Sequence, residues 1–221
     1  MEVHPAVGIP DVKHVDTSPY PNHFDKLVTS LTKTLSLSSD LMSDDINVAL
    51  IMRLMRLYDS QEHDWARYAF GDSDTDYTRN LVDEGNGKGN LVSRLHPEPS
   101  QSRGSPVHDH GNAHCVMKIL KGSLTETRYA FPPQGPSHPL DIISEKTHGK
   151  NEVIYMSDEL GVHRMFNAGK DFAVSLHYSV YTPPHVALKG CCIFDEGTGG
   201  KLHIPSSSYY SAFGRLLKEE K

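Results

Sequence analysis

Cysteine is scarce in this chain: there are three in 221 residues, and Cys191 and Cys192 are neighbours. No disulfide framework is visible in that spacing, so a stapled secreted scaffold is not expected. Long apolar runs are missing as well. No stretch approaches the roughly 18 residues a helix needs to cross a bilayer, and the polar opening MEVHPAVG holds no signal-peptide core. Nor is there an excess of positive charge. The 22 Lys and Arg face 28 Asp and Glu, for a net charge of -6 with the acids spread out. That argues against nucleic acid or an anionic membrane as partner, since either wants a basic patch. A soluble protein of a reducing compartment, the cytoplasm, is expected, and its length suits one domain with a real core.

What is present divides into a helical and a strand-rich part. Residues 1–22, rich in Pro and His, read as a loose lead-in, and 23–221 as a single domain. Its helical region covers 23–72, its β-barrel 74–205 and its C-terminal tail 206–221. From Phe24, the residues Leu27, Val28, Leu31 and Leu35 follow helical spacing. Ser43 is a plausible N-cap for DDINVALIMRLMRLY, with Asp44 and Asp45 in the first turn. Ile46, Leu50, Leu54 and Leu57 would line one face of that helix, and Trp65 would begin a short third one.

Past about residue 74 the texture changes. Alternating segments such as YTRNLVD, EVIYM, VHRMFN and FAVSLHYSVY are separated by GNGKG, KGS and NAGKD, the chemistry of turns. Many short strands with regular turns predict a mainly β chain, a sandwich or small barrel, with two or three N-terminal helices packed outside it. The polar segment 93–104, SRLHPEPSQSRG, reads as a loop.

The stretch HDHGNAHC, 108–115, concentrates three histidines and a cysteine. In a strand, His108 and His110 point to one face and share a target. A third imidazole is available at His163, in GVHRMFN. His114 is read as a loop or neighbouring residue rather than as a ligand. HxH alone is weak, but Cys115 is followed after six residues by Gly122, and His163 after three by Asn167. These spacings resemble the two cupin motifs, the first with Cys115 where a Glu would stand. Three neutral imidazoles leave the full charge of a divalent ion uncompensated and favour anionic ligands such as a thiolate. Ligation by Cys115 instead would close the site as a structural zinc centre, and this ranks lower.

YTRNLVDEGNGKGN, HDHGNAHC, GVHRMFN and AVSLH…YTPP, in that order, closely resemble cysteine dioxygenase, a family of cupin-type β-barrels. DWARYAF and KILKGSLTETRYAFP extend the similarity over most of the chain from Phe24. The resemblance implies an Fe(II)-dependent enzyme of cysteine catabolism and taurine biosynthesis. It converts L-cysteine and O2 to cysteine sulfinic acid, and the substrate chelates iron through thiolate and amine. It implies iron ligands at His108, His110 and His163, and a carboxylate clamp at Arg79, whose fork makes bonds a lysine could not reproduce. Tyr77 would help position that carboxylate. Cys115 would form a self-made thioether with a tyrosine, whose hydroxyl bonds His177, with Ser175 as companion. Cys191 and Cys192 are left as structural, and a monomer with small-molecule partners only is expected.

The chain departs from the family in two places. LVSRLHPEPSQSRG stands where the family carries an apolar strand with a tryptophan, so one wall strand is expected to be shortened or replaced. Three residues rather than one separate His177 from the next same-parity tyrosine, Tyr181. Tyr178 has the wrong parity, so the crosslink is expected between Cys115 and Tyr181. Two other readings remain: dioxygenation of another small thiol such as 3-mercaptopropionate, or a non-catalytic metal-binding sensor.

Overall fold

The computed structural model describes residues 21–35, 46–72, 75–84, 90–97, 104–133, 137–181, 191–204 and 209–217, without the side chains of Leu35, Asn90, Leu91 and Tyr181. It is mainly β. Three helices come first: α1 (His23–Leu35), α2 (Val48–Leu57) and α3 (Glu62–Trp65), the last running into a 3-10 turn at Ala66–Tyr68. Strands follow as β1 (Tyr77–Asp83), β2 (Asn90–Leu95), β3 (Val107–His108), β4 (Ala113–Lys121) and β5 (Ser123–Tyr129). They continue as β6 (Ile142–Gly149), β7 (Val153–Met156), β8 (Val162–Phe166), β9 (Ala173–Tyr181), β10 (Cys191–Phe194), β11 (Lys201–Ile204), β12 (Ser211–Ala212) and β13 (Arg215–Leu216).

The strands form two sheets, in the orders β13-β12-β1-β2-β9-β4-β7 and β11-β10-β3-β8-β5-β6. This is the jelly-roll form of the expected cupin class: two facing sheets rather than one closed barrel. Pairing is antiparallel except between β1 and β12. Gly122, at φ 71°, closes the β4–β5 hairpin, a conformation glycine adopts without steric cost.

Period-two alternation in β9 sorts the interior. Val174, Leu176, Tyr178 and Val180 face outward, into a cluster with Phe24, Leu31, Ile51, Met55 and Trp65 of the helices. Ala173, Ser175 and His177 face the opposite way, toward the second sheet. Between the sheets lies a smaller apolar cluster of Leu95, Met117, Ile119, Leu124, Ile154, Met165 and Ala173. It plugs one end of the sandwich and leaves the other end to polar residues. Tyr178 is fully buried on the helix side, where its hydroxyl donates to the Leu31 carbonyl at 2.6 Å, as its parity predicted.

Several expectations need correction. Helix α2 is capped by Asn47, whose side chain accepts from the Leu50 amide, and not by Ser43, which lies outside the described residues with Asp44 and Asp45. Its buried face is Ile51 and Met55, whereas Leu50 is 41% and Leu57 73% exposed. Because VALIMRLMRL is apolar nearly all round, more than one stripe has helical spacing. Trp65 ends α3 instead of beginning it. The predicted loop from residue 93 starts later: Ser93, Arg94 and Leu95 belong to β2, paired on both sides with β1 and β9. The wall strand is thus not replaced by a loop: it runs over Asn90–Leu95. Among the described residues no helix is long and apolar enough to cross a membrane.

Candidate metal centre

Strand β3 lies between β10 and β8, and His108 is the direct register partner of His163. Cross-strand partners share a face, which brings the two rings to 4.8 Å between centroids. The strand ends there, so the parity expected to align His110 with His108 does not place it. A turn does so instead. Gly111 and Asn112 take positive φ, Ala113 donates its amide to the His110 carbonyl at 3.0 Å, and the Asp158 carboxylate accepts both the His110 and Asn112 amides at 2.7 Å. Thus clamped, the His110 ring stands 5.2 Å from that of His108 and 4.8 Å from that of His163.

The three ligand atoms of His108, His110 and His163 all lie within 4.8 Å of one another. The Nδ1 of His108 donates to the Pro106 carbonyl at 2.9 Å. The Nδ1 of His163 donates to Glu126 at 2.8 Å. Both rings therefore keep Nε2 for a shared ion, and the buried His110 ring has a nitrogen, Nδ1, with no hydrogen-bond partner. Burial holds all three imidazoles below the ordinary histidine range, His110 and His163 well below it, and the neighbouring histidines add to the shift in those two. Neutral imidazole is the form that ligates metal. Cys115 is not part of this group. His114, in β4, pairs its Nδ1 with the Tyr155 hydroxyl at 2.7 Å, away from the three.

The facing wall comes from β1, β4 and β9. Tyr77 and Arg79 share the inner face of β1, both half-buried. The Arg79 charge acts on Tyr77, His108, Cys115, His177 and Cys191, so the guanidinium sits in electrostatic reach of these five side chains. Its Cζ lies 5.6 Å from the ring centroid of Tyr209, cation–π distance. His177 and Ser175 meet at 2.9 Å between Nε2 and Oγ. Burial, then Arg79 and His108, push the His177 pKa down to about 3, so this ring is neutral at physiological pH. Burial pushes the Cys115 thiol up to about 11.

The register gives Cys115 a different neighbour from the one expected. Cys115 pairs with Ser179, and Tyr181 pairs with Ala113, one same-face step away. The Ser179 hydroxyl donates to the Cys115 sulfur at 3.7 Å. The Tyr181 side chain lies outside the described residues. Cys191 and Cys192, left as structural from the sequence, border the centre: the Cys192 amide donates to Asp109, between the two histidines, at 2.8 Å. Glu126, Asp158, Ser179 and Tyr209 went unnoticed in the sequence. An acid on the Leu124 face of SLTETRY was the one available signal; nothing local marks Tyr209, which folds back from the C-terminal segment.

A model of the family cysteine dioxygenase type I matches residues 26–196. Among solved structures, the chain is similar to oxalate oxidase, with 19% identity, a TM-score of 0.39, and coverage of 52% of this chain and 56% of that one. It is also similar to a conserved protein with a double-stranded β-helix domain from Klebsiella pneumoniae, with 14% identity, a TM-score of 0.39, and coverage of 62% and 91%. It is 40% identical over 172 residues to cysteine dioxygenase type 1 of Homo sapiens, covering 77% of this chain and 80% of that protein. The corresponding protein of Danio rerio is 39% identical over 179 residues, with 80% and 84% covered.

Proposed function

The chain belongs to the cysteine dioxygenase type I family, and from that membership we propose that His108, His110 and His163 hold Fe(II) and that Arg79 presents L-cysteine to it. The protein is an enzyme, a cysteine dioxygenase. The observation that carries the proposal is the convergence of three imidazoles whose ligand atoms all lie within 4.8 Å of one another, with the Arg79 charge acting on His108. The three-imidazole donor set would suit Fe(II). Held there by His108, His110 and His163, it would be chelated by the substrate thiolate and amine and would supply the redox capacity that lets dioxygen react with sulfur.

The remaining work falls to the chain. Arg79 takes the substrate carboxylate in a bidentate, charge-assisted pair, and Tyr77 packs beside it on the same strand face. Fixing the carboxylate fixes where the sulfur lies, which makes the oxygen-transfer step effectively unimolecular. His177, neutral and anchored on Ser175, offers a hydrogen-bonding wall at the reacting centre. Both atoms of O2 become bonded to the one sulfur, giving the sulfinic acid. Sulfur loses four electrons and dioxygen gains them, so no external reductant is needed. The Cys115–Tyr181 thioether, one same-face step apart in the register, would restrain the phenol against this wall. A cytoplasmic setting belongs to the same proposal.

The test is oxygen uptake by the Fe(II)-loaded protein with L-cysteine, with the product identified by mass spectrometry and 3-mercaptopropionate run in parallel. Cysteine sulfinate formed mole for mole with oxygen consumed supports the proposal. Turnover of 3-mercaptopropionate alone would replace the substrate, and bound iron without uptake of oxygen would leave a metal-binding sensor.

A further inference from the structure

Resting on the metal centre just proposed, we infer that Glu126 is a positioning residue for it: the carboxylate that a cupin motif would place at position 115 is supplied from behind His163, on the neighbouring strand. Glu126 is 4% exposed and lies on the face of β5 that carries Leu124 into the cluster between the sheets. One oxygen accepts from His163 Nδ1 at 2.8 Å. The other is held by Arg128 Nε at 3.0 Å and faces His148 Nε2 at 3.6 Å. Arg128 is fixed in turn, donating from Nη2 to the Tyr155 carbonyl at 3.0 Å, and His148 Nδ1 lies 3.8 Å from Glu152. A buried acid costs much to desolvate unless it is paired, and here Glu126 accepts from His163 and is paired with the Arg128 cation.

This arrangement does three things at once. It fixes the tautomer of His163, with the proton on Nδ1 and the lone pair on Nε2 toward the ion. It raises the basicity of that nitrogen, as a carboxylate behind a ligating histidine does. It also brings a negative charge near a centre whose three ligands are all neutral, without using a coordination position. A glutamate in place of Cys115 would give the same charge but occupy one of the positions the chelating substrate needs. The cysteine at 115 and the glutamate at 126 are thus two halves of one arrangement, and the charge of Glu126 is felt at Cys115.

The test has two parts. In the metal-free wild-type protein labelled with 15N at histidine, the signal lost on His163→Gln should report a proton on Nδ1; a proton on Nε2 would overturn the inference without recourse to any variant at Glu126. Then Fe(II) binding is titrated for wild type and Glu126→Gln, which keeps the shape and removes the charge. Affinity should fall about 10- to 100-fold, the range for losing such an outer partner, and the midpoint potential of the iron couple should rise. Equal affinity and equal potential would leave Glu126 a merely structural residue. If the wild type itself binds no Fe(II), the metal centre is what fails, and the tautomer measurement still decides the Glu126–His163 bond.

Discussion

Ser179 faces Cys115 across the β4–β9 pair and donates its hydroxyl to the cysteine sulfur at 3.7 Å. The proposed thioether would then join Cys115 to the next position on the same face of β9, Tyr181. Diagonal neighbours in an antiparallel pair lie roughly 7–8 Å apart, still within reach of an aromatic side chain. Formation of the bond removes one hydrogen from the thiol and one from the ring, the two electrons and two protons passing to dioxygen. Protein purified after aerobic turnover should contain a species lighter by two hydrogen atoms, with Cys115 and Tyr181 in one crosslinked peptide after digestion. Tyr181→Phe should abolish that species, and its persistence would assign the partner elsewhere. Ser179→Ala should leave it intact, since the serine contributes only a weak contact to sulfur.

The two strands of that pair also show what the sequence does and does not carry. Strand β9 is legible because its two faces differ sharply: Val174, Leu176, Tyr178 and Val180 meet the helices, while Ser175 and His177 look inward. Strand β2 is illegible for the complementary reason. Its inner face lines the polar part of the interior, with Ser93 directly opposite Ser175, and Arg94 lies over the ring of Phe172 at 4.0 Å. LVSRL thus lacks the alternation that announces a strand. Of the proposed ligands, His108 and His163 follow from strand positions, but the convergence of His110 depends on the Asp158 clamp, 48 residues away. No local pattern encodes a contact at that separation.

His163 is the proposed ligand most firmly placed, by the β3–β8 register on one side and Glu126 on the other. Replacing it with Ala leaves two imidazoles. Iron affinity should fall by more than about 100-fold, beyond the loss expected for an outer partner alone, and turnover should vanish while the far-ultraviolet circular dichroism stays native. An iron-replete, active His163→Ala protein would remove it from the ligand set.

Arg79 is expected to act on substrate and not on metal. Truncating one partner of a buried, hydrogen-bonded charge pair costs about 2–5 kcal/mol, so Arg79→Ala should raise the apparent KM for cysteine by roughly 30-fold or more. Iron content should be unchanged. Arg79→Lys should recover little, because a point charge does not reproduce the planar fork. An unaltered KM in Arg79→Ala would place the carboxylate elsewhere.

The buried histidines also set a pH dependence for the metal-free protein. His108, His110 and His163 are held below the ordinary range, and His177 is pushed down to about 3, in each case chiefly by burial. In the unfolded chain the same rings titrate near 6.5. Below about pH 6.5 the unfolded state therefore binds more protons than the native state, so stability falls as pH falls, and above that value these residues contribute no slope. For His177 the window runs from about 6.5 down to about 3, with a limiting slope of about 1.4 kcal/mol per pH unit. The urea midpoint of the metal-free enzyme should be clearly lower at about pH 5 than at about pH 7. His177→Gln, which keeps a polar group for Ser175, should flatten that dependence by about one histidine's share. Equal midpoints at the two pH values would mean that these rings are not buried in their neutral form, and the centre would lose the electrostatic basis on which it is assigned to a metal.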